Sequence, residues 1–341
     1  MMCSTGPIPA DRMHPTLRDR AATLLSWVLA GALFLSVGWM AISPDDPAGA
    51  VSLLTRTGAA FSVLQLAGIA AVTAGLATVL SGRRRPDVGV VATSIGLGLL
   101  SIQGDTSAYF FLSQSAGIPT DPAQLARRFA GESVVWMGVL GVAMMVSGFV
   151  AKWVPTTRQT CREEPDGDSA GDVQRSAASD IPGLQSMSQA DAGLGPTPLG
   201  DGIKHTLIAA GIALVAYQVL STGLQHRAIR HGQVCFAAAA SFWLATRFAF
   251  QLVPVRSALW SLLAVGVAAV AAYLWASVRL GPTQWPSAVP GNHFLRSLPM
   301  QFVFFGAAAA TMKSWSASPP RAAPNAAPER PPTKSKARER R

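Results

Sequence analysis

Eight long apolar stretches, separated by short polar segments, set the pattern of predicted elements along the chain. A helix that rises 1.5 Å per residue needs about 20 residues to span a hydrocarbon layer of about 30 Å. Lipid offers no partner for backbone amides, so such stretches are expected to be helical. The predicted spans are 22–42, 58–80, 88–112, 133–152, 205–224, 233–253, 258–278 and 294–312.

This pattern predicts an all-α fold, a polytopic transmembrane helical bundle of about eight spans in two blocks of four. The third span is ragged because Asp105 falls inside it, and the eighth carries Arg296 and Pro299 near its start. The expected segments are an N-tail 1–21, a first membrane block 22–152, a linker 153–203, a second membrane block 204–312 and a C-tail 313–341.

The composition is that of a membrane protein. Charged residues make up 13% of the chain, against about 25% in soluble domains, and the mean hydropathy is +0.31. The first apolar run lacks a small-residue cleavage site, so we expect it to stay in place as an anchor. Three distant cysteines, without a CxxC pair, argue against a disulfide framework or a zinc module.

The distribution of Lys and Arg predicts the orientation of the chain. With the N-terminus inside, predicted inner segments hold 20 of the 28 basic residues and outer loops hold seven. Basic residues concentrate on the cytoplasmic side, so both termini are expected there, in a cell membrane of bacterial type. Tryptophans are expected at the two interfaces: Trp27, Trp153, Trp260 and Trp315 inside, and Trp39, Trp136 and Trp275 outside.

Two polar segments are expected on the cytoplasmic face. The linker 153–203 is acidic and rich in Ser, Gly, Ala and Pro, a composition typical of disorder. The C-tail ends in a basic cluster, which anionic lipid headgroups attract at about 1 kcal/mol per basic residue. The lipid bilayer is thus its first expected partner, with RNA or an acidic protein as alternatives. Without interleaved aromatics, no nucleic-acid binding is expected.

Helix packing has its own signature in two rows of small residues. They recur every four positions, a spacing that lines one helix face and lets a second backbone approach closely. The rows are Ala67, Ala71 and Gly75 on the second span, and Ala264, Ala268, Ala272 and Ala276 on the seventh. They indicate packing within the bundle or in a homo-oligomer. Whether the two blocks arose by duplication stays open.

Charges inside a span are costly and therefore suggest function. Away from the ends of the predicted spans, Asp105 and Arg247 are the two such charges. Arg247 is close enough to its helix end to extend to the inner interface or to bond a carbonyl, and a working charge in a site is the alternative. Asp105, with Gln103 in "IQGDTSAYFF", is expected at the outer end, as an ordinary helix terminus or as an unwound segment lining a polar cavity.

Neutral polar residues inside the spans are expected to face other helices, where their amides and hydroxyls find partners. They are Gln65, Gln103, Gln218, Gln251 and Gln301, with Tyr217 and Tyr273. Gln103, Asp105 and Gln218 form the candidate substrate-binding set. The segment "LQHRAIRHGQVC" offers His226, His231 and Cys235, but with no acidic ligand nearby we expect solvated loop residues and no metal site. Haem ligation by His205 or His293 lacks supporting residues, and no cofactor is expected.

Catalytic signatures such as HExxH, GxSxG and the P-loop are absent from the sequence. The chain is therefore expected to be a non-enzymatic multi-pass membrane protein, a scaffold or assembly component whose cytoplasmic segments are available to a protein partner. The alternative is a small-molecule transporter with a polar cavity near Asp105.

Overall fold

All the regular secondary structure that the structure describes is helical, which confirms the all-α class. The computed structural model describes residues 17–43, 51–55, 58–82, 87–103, 122–154, 198–222, 231–255, 257–279 and 293–312. The predicted linker and C-tail lie almost entirely outside these ranges. Their expected disorder and partners therefore stay predictions.

Eight helices occupy the described ranges. The first, α1, comprises Leu17–Leu33, a π-helical segment Phe34–Gly38 and a last turn Trp39–Ile42. Two 3₁₀ turns, Leu53–Thr55 and His293–Arg296, precede α2 and α8. The other helices are α2 (Ala59–Ser81), α3 (Asp87–Leu100), α4 (Pro122–Trp153), α5 (Leu199–Thr222), α6 (His231–Leu252), α7 (Ala258–Arg279) and α8 (Pro299–Met312).

Glycine and proline set several of the helix boundaries. Helix α2 lies between Gly58 and Gly82, whose positive φ angles of 88° and 78° suit a residue without a side chain. Pro299 is the first residue of α8, a position where its missing N–H costs no helical hydrogen bond.

Six of the eight helices contain a stretch long and apolar enough to cross a membrane. They are α1, α2, α4, α5, α6 and α7. The third and eighth predicted spans correspond instead to α3 and α8, helices of 14 residues each. At 1.5 Å per residue each is about 21 Å long, shorter than a hydrocarbon core of about 30 Å. The apolar run of the third span therefore ends as a helix at Leu100, and residues 104–112 lie outside the described ranges.

The two short helices lie side by side in the interior of the bundle. Helix α3 packs against α1, α2 and α4, and α8 packs against α4, α6 and α7. They also pack against each other, and the two predicted blocks are joined there and by the contacts of α4 with α7 and α8. Nearly every side chain of α8 from Pro299 to Thr311 is buried.

The long helices carry large apolar side chains on the outside of this arrangement. Exposed examples include Leu64 on α2, Met145 on α4, Phe236 on α6 and Val278 on α7. Soluble proteins rarely expose so much contiguous apolar surface to water, whereas such a surface is favourable in contact with lipid. The structure thus has the form of a membrane protein, with most of its exposed helix surface apolar.

The small residues behave as the sequence predicts on α7. Ala264, Ala268, Ala272 and Ala276 are all buried, which confirms that this row packs within the bundle. On α2 the corresponding row is half-buried, and Gly75 faces Val146 and Val150 of α4.

Each end of the bundle contains a buried polar residue, His205 at one end and Glu132 at the other. At the His205 end, the ring nitrogens of His205 lie 2.9 Å from Val253 O and 3.3 Å from Ser261 Oγ. Thr206 Oγ1 donates to Trp260 O over 3.1 Å at the same place. These contacts connect the start of α5 to the end of α6 and the start of α7. The opposite end, the Glu132 end, holds the candidate site.

Candidate functional sites at the Glu132 end

Glu132, on α4, is the acidic residue that the structure places deepest among the described residues. It is 4% exposed. Its Oε2 accepts a 2.6 Å hydrogen bond from Ser52 Oγ, and its Oε1 accepts bonds from Leu53 N (3.2 Å) and Trp136 Nε1 (3.0 Å). Ser52 Oγ in turn accepts from Leu54 N. The carboxylate thus fixes the chain ahead of the 3₁₀ turn Leu53–Thr55 to the wall of α4.

Glu132 was not singled out from the sequence, because the predicted fourth span begins at residue 133. Helix α4 begins at Pro122, eleven residues earlier, and the span found in it runs from Ala123 to Trp153. Arg247 is therefore not the only charged residue within a candidate span, and Asp105 lies outside the described residues. The spacing of Glu132 and Trp136, one helical turn apart, was the local signal available, since residues four apart share a face.

Trp136 differs from its predicted place at an interface. Its side chain is fully buried, donates to Glu132 and packs edge-on against Phe304 of α8 with ring centroids 5.5 Å apart. An indole needs an interfacial position only when its N–H would otherwise lack an acceptor. Glu132 supplies that acceptor inside the bundle, so the prediction for Trp136 is wrong.

A second buried polar group surrounds the 3₁₀ turn His293–Arg296. Arg296 is 6% exposed, and its Nη1 donates to Ser221 O at the end of α5 over 3.1 Å. Tyr273 of α7 donates from its hydroxyl to Ser297 O over 2.9 Å. The Arg296 guanidinium stays cationic at neutral pH. Burial and the charge of Arg296 lower the pKa of His293.

Aromatic rings fill the space beneath this turn. Phe302 of α8 lies edge-on to Tyr217 of α5 at 5.0 Å and to Phe242 of α6 at 5.4 Å. Tyr217 also stacks on Phe294 at 5.7 Å, and Phe129 of α4 lies edge-on to Tyr273 at 5.6 Å. Edge-on and offset ring pairs are the favoured arrangements of aromatic side chains. The Glu132 end is therefore packed with aromatic rings around buried polar groups, of which Tyr217 Oη and His293 Nδ1 have no hydrogen-bond partner among the described residues.

A lateral groove opens between α5 and α7 beside the turn. Its cavity has a volume of about 620 Å³, within the range of small-ligand sites. Apolar side chains form most of it, and polar groups lie among them. The lining residues are Leu214, Val215, Gln218 and Val219 of α5, Ala271, Ala272, Trp275 and Arg279 of α7, and His293 and Phe294 of the turn.

The predicted substrate-binding set is not assembled into one site. Gln218 lines the lateral groove. Gln103 is exposed just beyond the end of α3 and is not among the described residues that line this groove. Asp105 lies outside the described residues, as does most of the "IQGDTSAYFF" stretch.

The predicted contacts of the glutamines with other helices are found for one of them and not for two others. Gln301 is buried on α8, where its Nε2 donates to Ser101 O and its Oε1 accepts from Leu298 N. It therefore joins the end of α3 to the start of α8, as a polar residue facing another helix should. Gln65 and Gln251 are exposed, so the prediction that they face other helices is wrong.

Arg247 is exposed on α6. Its guanidinium lies over the ring of Trp243, one turn back, with Cζ 5.6 Å from the centroid. Such a cation–π contact is compatible with a side chain extending along the helix surface toward an interface. Its assignment as a snorkelling residue stays a prediction.

Metal and cofactor chemistry gains no support from the described residues. No group of three or more His, Cys, Asp and Glu side chains gathers there in a form that would hold a metal ion. His205 has both ring nitrogens within hydrogen-bond distance of protein groups, and Cys235 is buried. His226 lies outside the described residues, and the side chain of His231 is not described.

Known proteins add nothing to this geometry. No family, no curated protein and no solved structure matches the chain. Conclusions about function therefore rest on the bundle itself.

Proposed function

We propose that the chain is a non-enzymatic multi-pass membrane protein that acts as a scaffold or assembly component. The observation that carries this proposal is the packed centre of the bundle. Helices α3 and α8 occupy the place where a carrier has its central cavity, and their side chains are largely buried. A scaffold needs a rigid framework, whereas a carrier needs a polar cavity and room for helices to rearrange.

Small residues let the central helices approach their neighbours closely in the part of the chain that the structure describes. A methyl carbon added at Gly306 of α8 would lie 2.6 Å from Phe242 of α6 and 3.2 Å from Val265 of α7. One added at Gly89 of α3 would lie 2.7 Å from the backbone oxygen of Ala74 on α2. Close backbone approach of this kind is how helices associate in lipid.

The transporter alternative is not favoured by the site geometry. A polar cavity near Asp105 would require Gln103 and Gln218 to converge on it. Gln218 instead faces a groove on the side of the bundle, while Gln103 is exposed at the end of α3. The groove opens laterally, with mostly apolar walls, so it does not resemble a path across the membrane.

The proposed topology places both termini in the cytoplasm of a cell membrane, with the His205 end facing inward. The support is the excess of basic residues at that end of the predicted spans. We further propose that α3 and α8 complete the eight spans despite their length, since both run in the interior of the bundle.

Reporter fusions test this topology. Alkaline phosphatase fused after Arg84 or after Arg341 should be inactive, because both positions are expected in the cytoplasm, where its disulfides do not form. Green fluorescent protein at the same positions should fluoresce. The reverse result at either position would overturn the proposed orientation.

The scaffold proposal predicts a hetero-complex in the native membrane. Tagged full-length chain, extracted in mild detergent, should migrate on native gels with a second protein in a fixed ratio. Deletion of residues 313–341, or of residues 155–197, should release that protein because these cytoplasmic segments are the proposed contacts. Insertion of the helices should be unchanged in both variants.

Two results would contradict the scaffold. One is that the tagged chain migrates without a second protein at every detergent concentration used for extraction. The other is solute flux through purified protein in vesicles that depends on Gln103 or Gln218, which would establish the transporter instead.

A further inference from the structure

The groove between α5 and α7 is polar at one end and apolar along the rest. Arg279, His293 and Gln218 supply hydrogen-bond donors near the Glu132 end. Leu214, Val215 and Ala271 line the part nearer the middle of the helices. From Ala271 to Arg279 the helix rises about 12 Å, so a ligand must extend at least that far to contact both parts.

The charge at the polar end selects an anion. No acidic side chain occurs among the described residues that line the groove, whereas Arg279 supplies a positive charge and His293 a ring N–H donor. Arg296 lies close enough to His293 to disfavour protonation of its ring. Its positive charge also adds to the potential behind the wall of the groove. A phosphate accepts hydrogen bonds from all three donors, and a headgroup that also carries a cation, as in a zwitterionic lipid, brings that positive charge next to Arg279.

Arg279 is held ready for such a contact. Its guanidinium lies over the ring of Trp275, one helical turn back, with Cζ 4.6 Å from the centroid. Stacking on an indole orients the planar guanidinium while leaving its edge N–H groups available as donors. The side chain therefore needs little reordering to bind an oxyanion.

The surroundings of the groove are apolar and exposed. Val215 and Val219 on α5 and Leu274 and Val278 on α7 flank it with exposed side chains of the kind that contact lipid. A ligand therefore enters sideways from the bilayer. The apolar wall requires a hydrocarbon chain and the polar end requires an acidic head.

We propose that this groove binds one membrane phospholipid with an anionic headgroup. Its phosphate lies at Arg279, His293 and Gln218, and an acyl chain follows Leu214, Val215 and Ala271 toward the middle of the bundle. This site is separate from the proposed partner segments at the opposite end of the helices, so it can be tested independently of the scaffold proposal.

The test is native mass spectrometry of the purified full chain, titrated in detergent with phosphatidylglycerol or with phosphatidylcholine. Wild-type protein should bind the first phosphatidylglycerol about tenfold more tightly than phosphatidylcholine, because the choline cation of the second lipid offsets the attraction of its phosphate to Arg279. Arg279→Gln should remove this preference. Ala271→Leu should weaken binding of both lipids because it fills the apolar wall.

Arg247→Gln is the matched control. Arg247 also stacks on a tryptophan one turn back, but on α6 and away from the groove. It should retain the preference for phosphatidylglycerol. Inorganic phosphate in excess should not displace the lipid, since the chain contributes to binding. Thermal unfolding curves that match the wild type show that each variant is folded.

Three results would overturn the proposal. Equal affinity for the two lipids would remove the headgroup site. Equal losses in Arg279→Gln and Arg247→Gln would reduce the preference to general surface charge. Lipid binding that appears only after residues 280–292 are deleted would show that this segment of the chain, and not a lipid, fills the groove.

Discussion

Replacing Gly89 by alanine is expected to destabilise the bundle by about 2 kcal/mol, and by valine by more. Gly89 lies where α3 crosses α2 and α4. A methyl carbon there would lie 2.7 Å from Ala74 O and from Thr78 Oγ1, and closer still to Ser147 Oγ. The oxygen of Ala74 belongs to the backbone of α2, so it cannot move unless the whole helix shifts.

Gly148→Ala on α4 is the matched control for this change. Nothing lies within 4 Å of a methyl carbon at Gly148, next in sequence to the Ser147 that contacts Gly89. Alanine favours helix over glycine by up to about 1 kcal/mol, so Gly148→Ala should be neutral or stabilising. The two substitutions should therefore move the thermal midpoint of the detergent-solubilised protein in opposite directions. A Gly89→Ala protein as stable as Gly148→Ala would contradict close packing of α3 at this crossing.

Hydropathy located the long helices well because their lengths and boundaries are properties of contiguous residues. The predicted span 58–80 became Ala59–Ser81, and 258–278 became Ala258–Arg279. In each case a glycine, a proline or a charged segment ends the apolar run. The information that decides such a boundary lies within a few residues of it.

Hydropathy failed where the helix and the apolar run have different lengths. Helix α4 continues back to Pro122, through Arg127, Arg128 and Glu132, although these residues are polar. Mean hydropathy over a window identifies the apolar part of a helix. It does not detect a polar extension of the same helix beyond that window. Glu132 lies just outside the apolar window, so it was not assigned to the helix.

The central position of α3 and α8 could not be read from their apolarity alone. A helix surrounded by other helices and a helix surrounded by lipid are both apolar on every side. The usable signal was the density of small residues, in "GLGLL" of α3 and "GAAAA" of α8, because close approach on several faces requires them. Gln301 was a second signal, since its amide must find a partner inside the bundle.

The candidate sites depended on contacts between residues that are distant in sequence. Ser52 meets Glu132 across 80 positions, and Arg296 meets Ser221 across 75. No local periodicity carries such pairings. Gln218 could be selected as a polar residue within a span, but its groove partners Arg279 and His293 come from α7 and the turn before α8.

These pairings lead to the second large effect, which is expected on replacing Glu132 by alanine. The substitution leaves Ser52 Oγ, Leu53 N and Trp136 Nε1 without the acceptor that each has in the folded chain. A buried donor that loses its acceptor costs about 1–3 kcal/mol, and three donors share this one. We expect the free energy of unfolding to fall by about 3 kcal/mol or more, measured by thermal or denaturant unfolding in detergent.

Glu132→Gln separates the hydrogen bonds from the charge. Its amide keeps one carbonyl oxygen for Leu53 N and Trp136 Nε1, and its NH₂ group can donate to Ser52 Oγ. Because the three contacts survive in altered form, the loss should be about 1 kcal/mol. Asp201→Asn is the surface control: Asp201 and Lys204 form an exposed ion pair 3.5 Å apart, and its loss should change stability by less than about 0.5 kcal/mol. If Glu132→Ala matched Asp201→Asn, the Ser52–Glu132–Trp136 connection would not hold the Glu132 end together. If Glu132→Gln were as unstable as Glu132→Ala, the negative charge, and not the set of acceptors, would be what this end of the bundle requires.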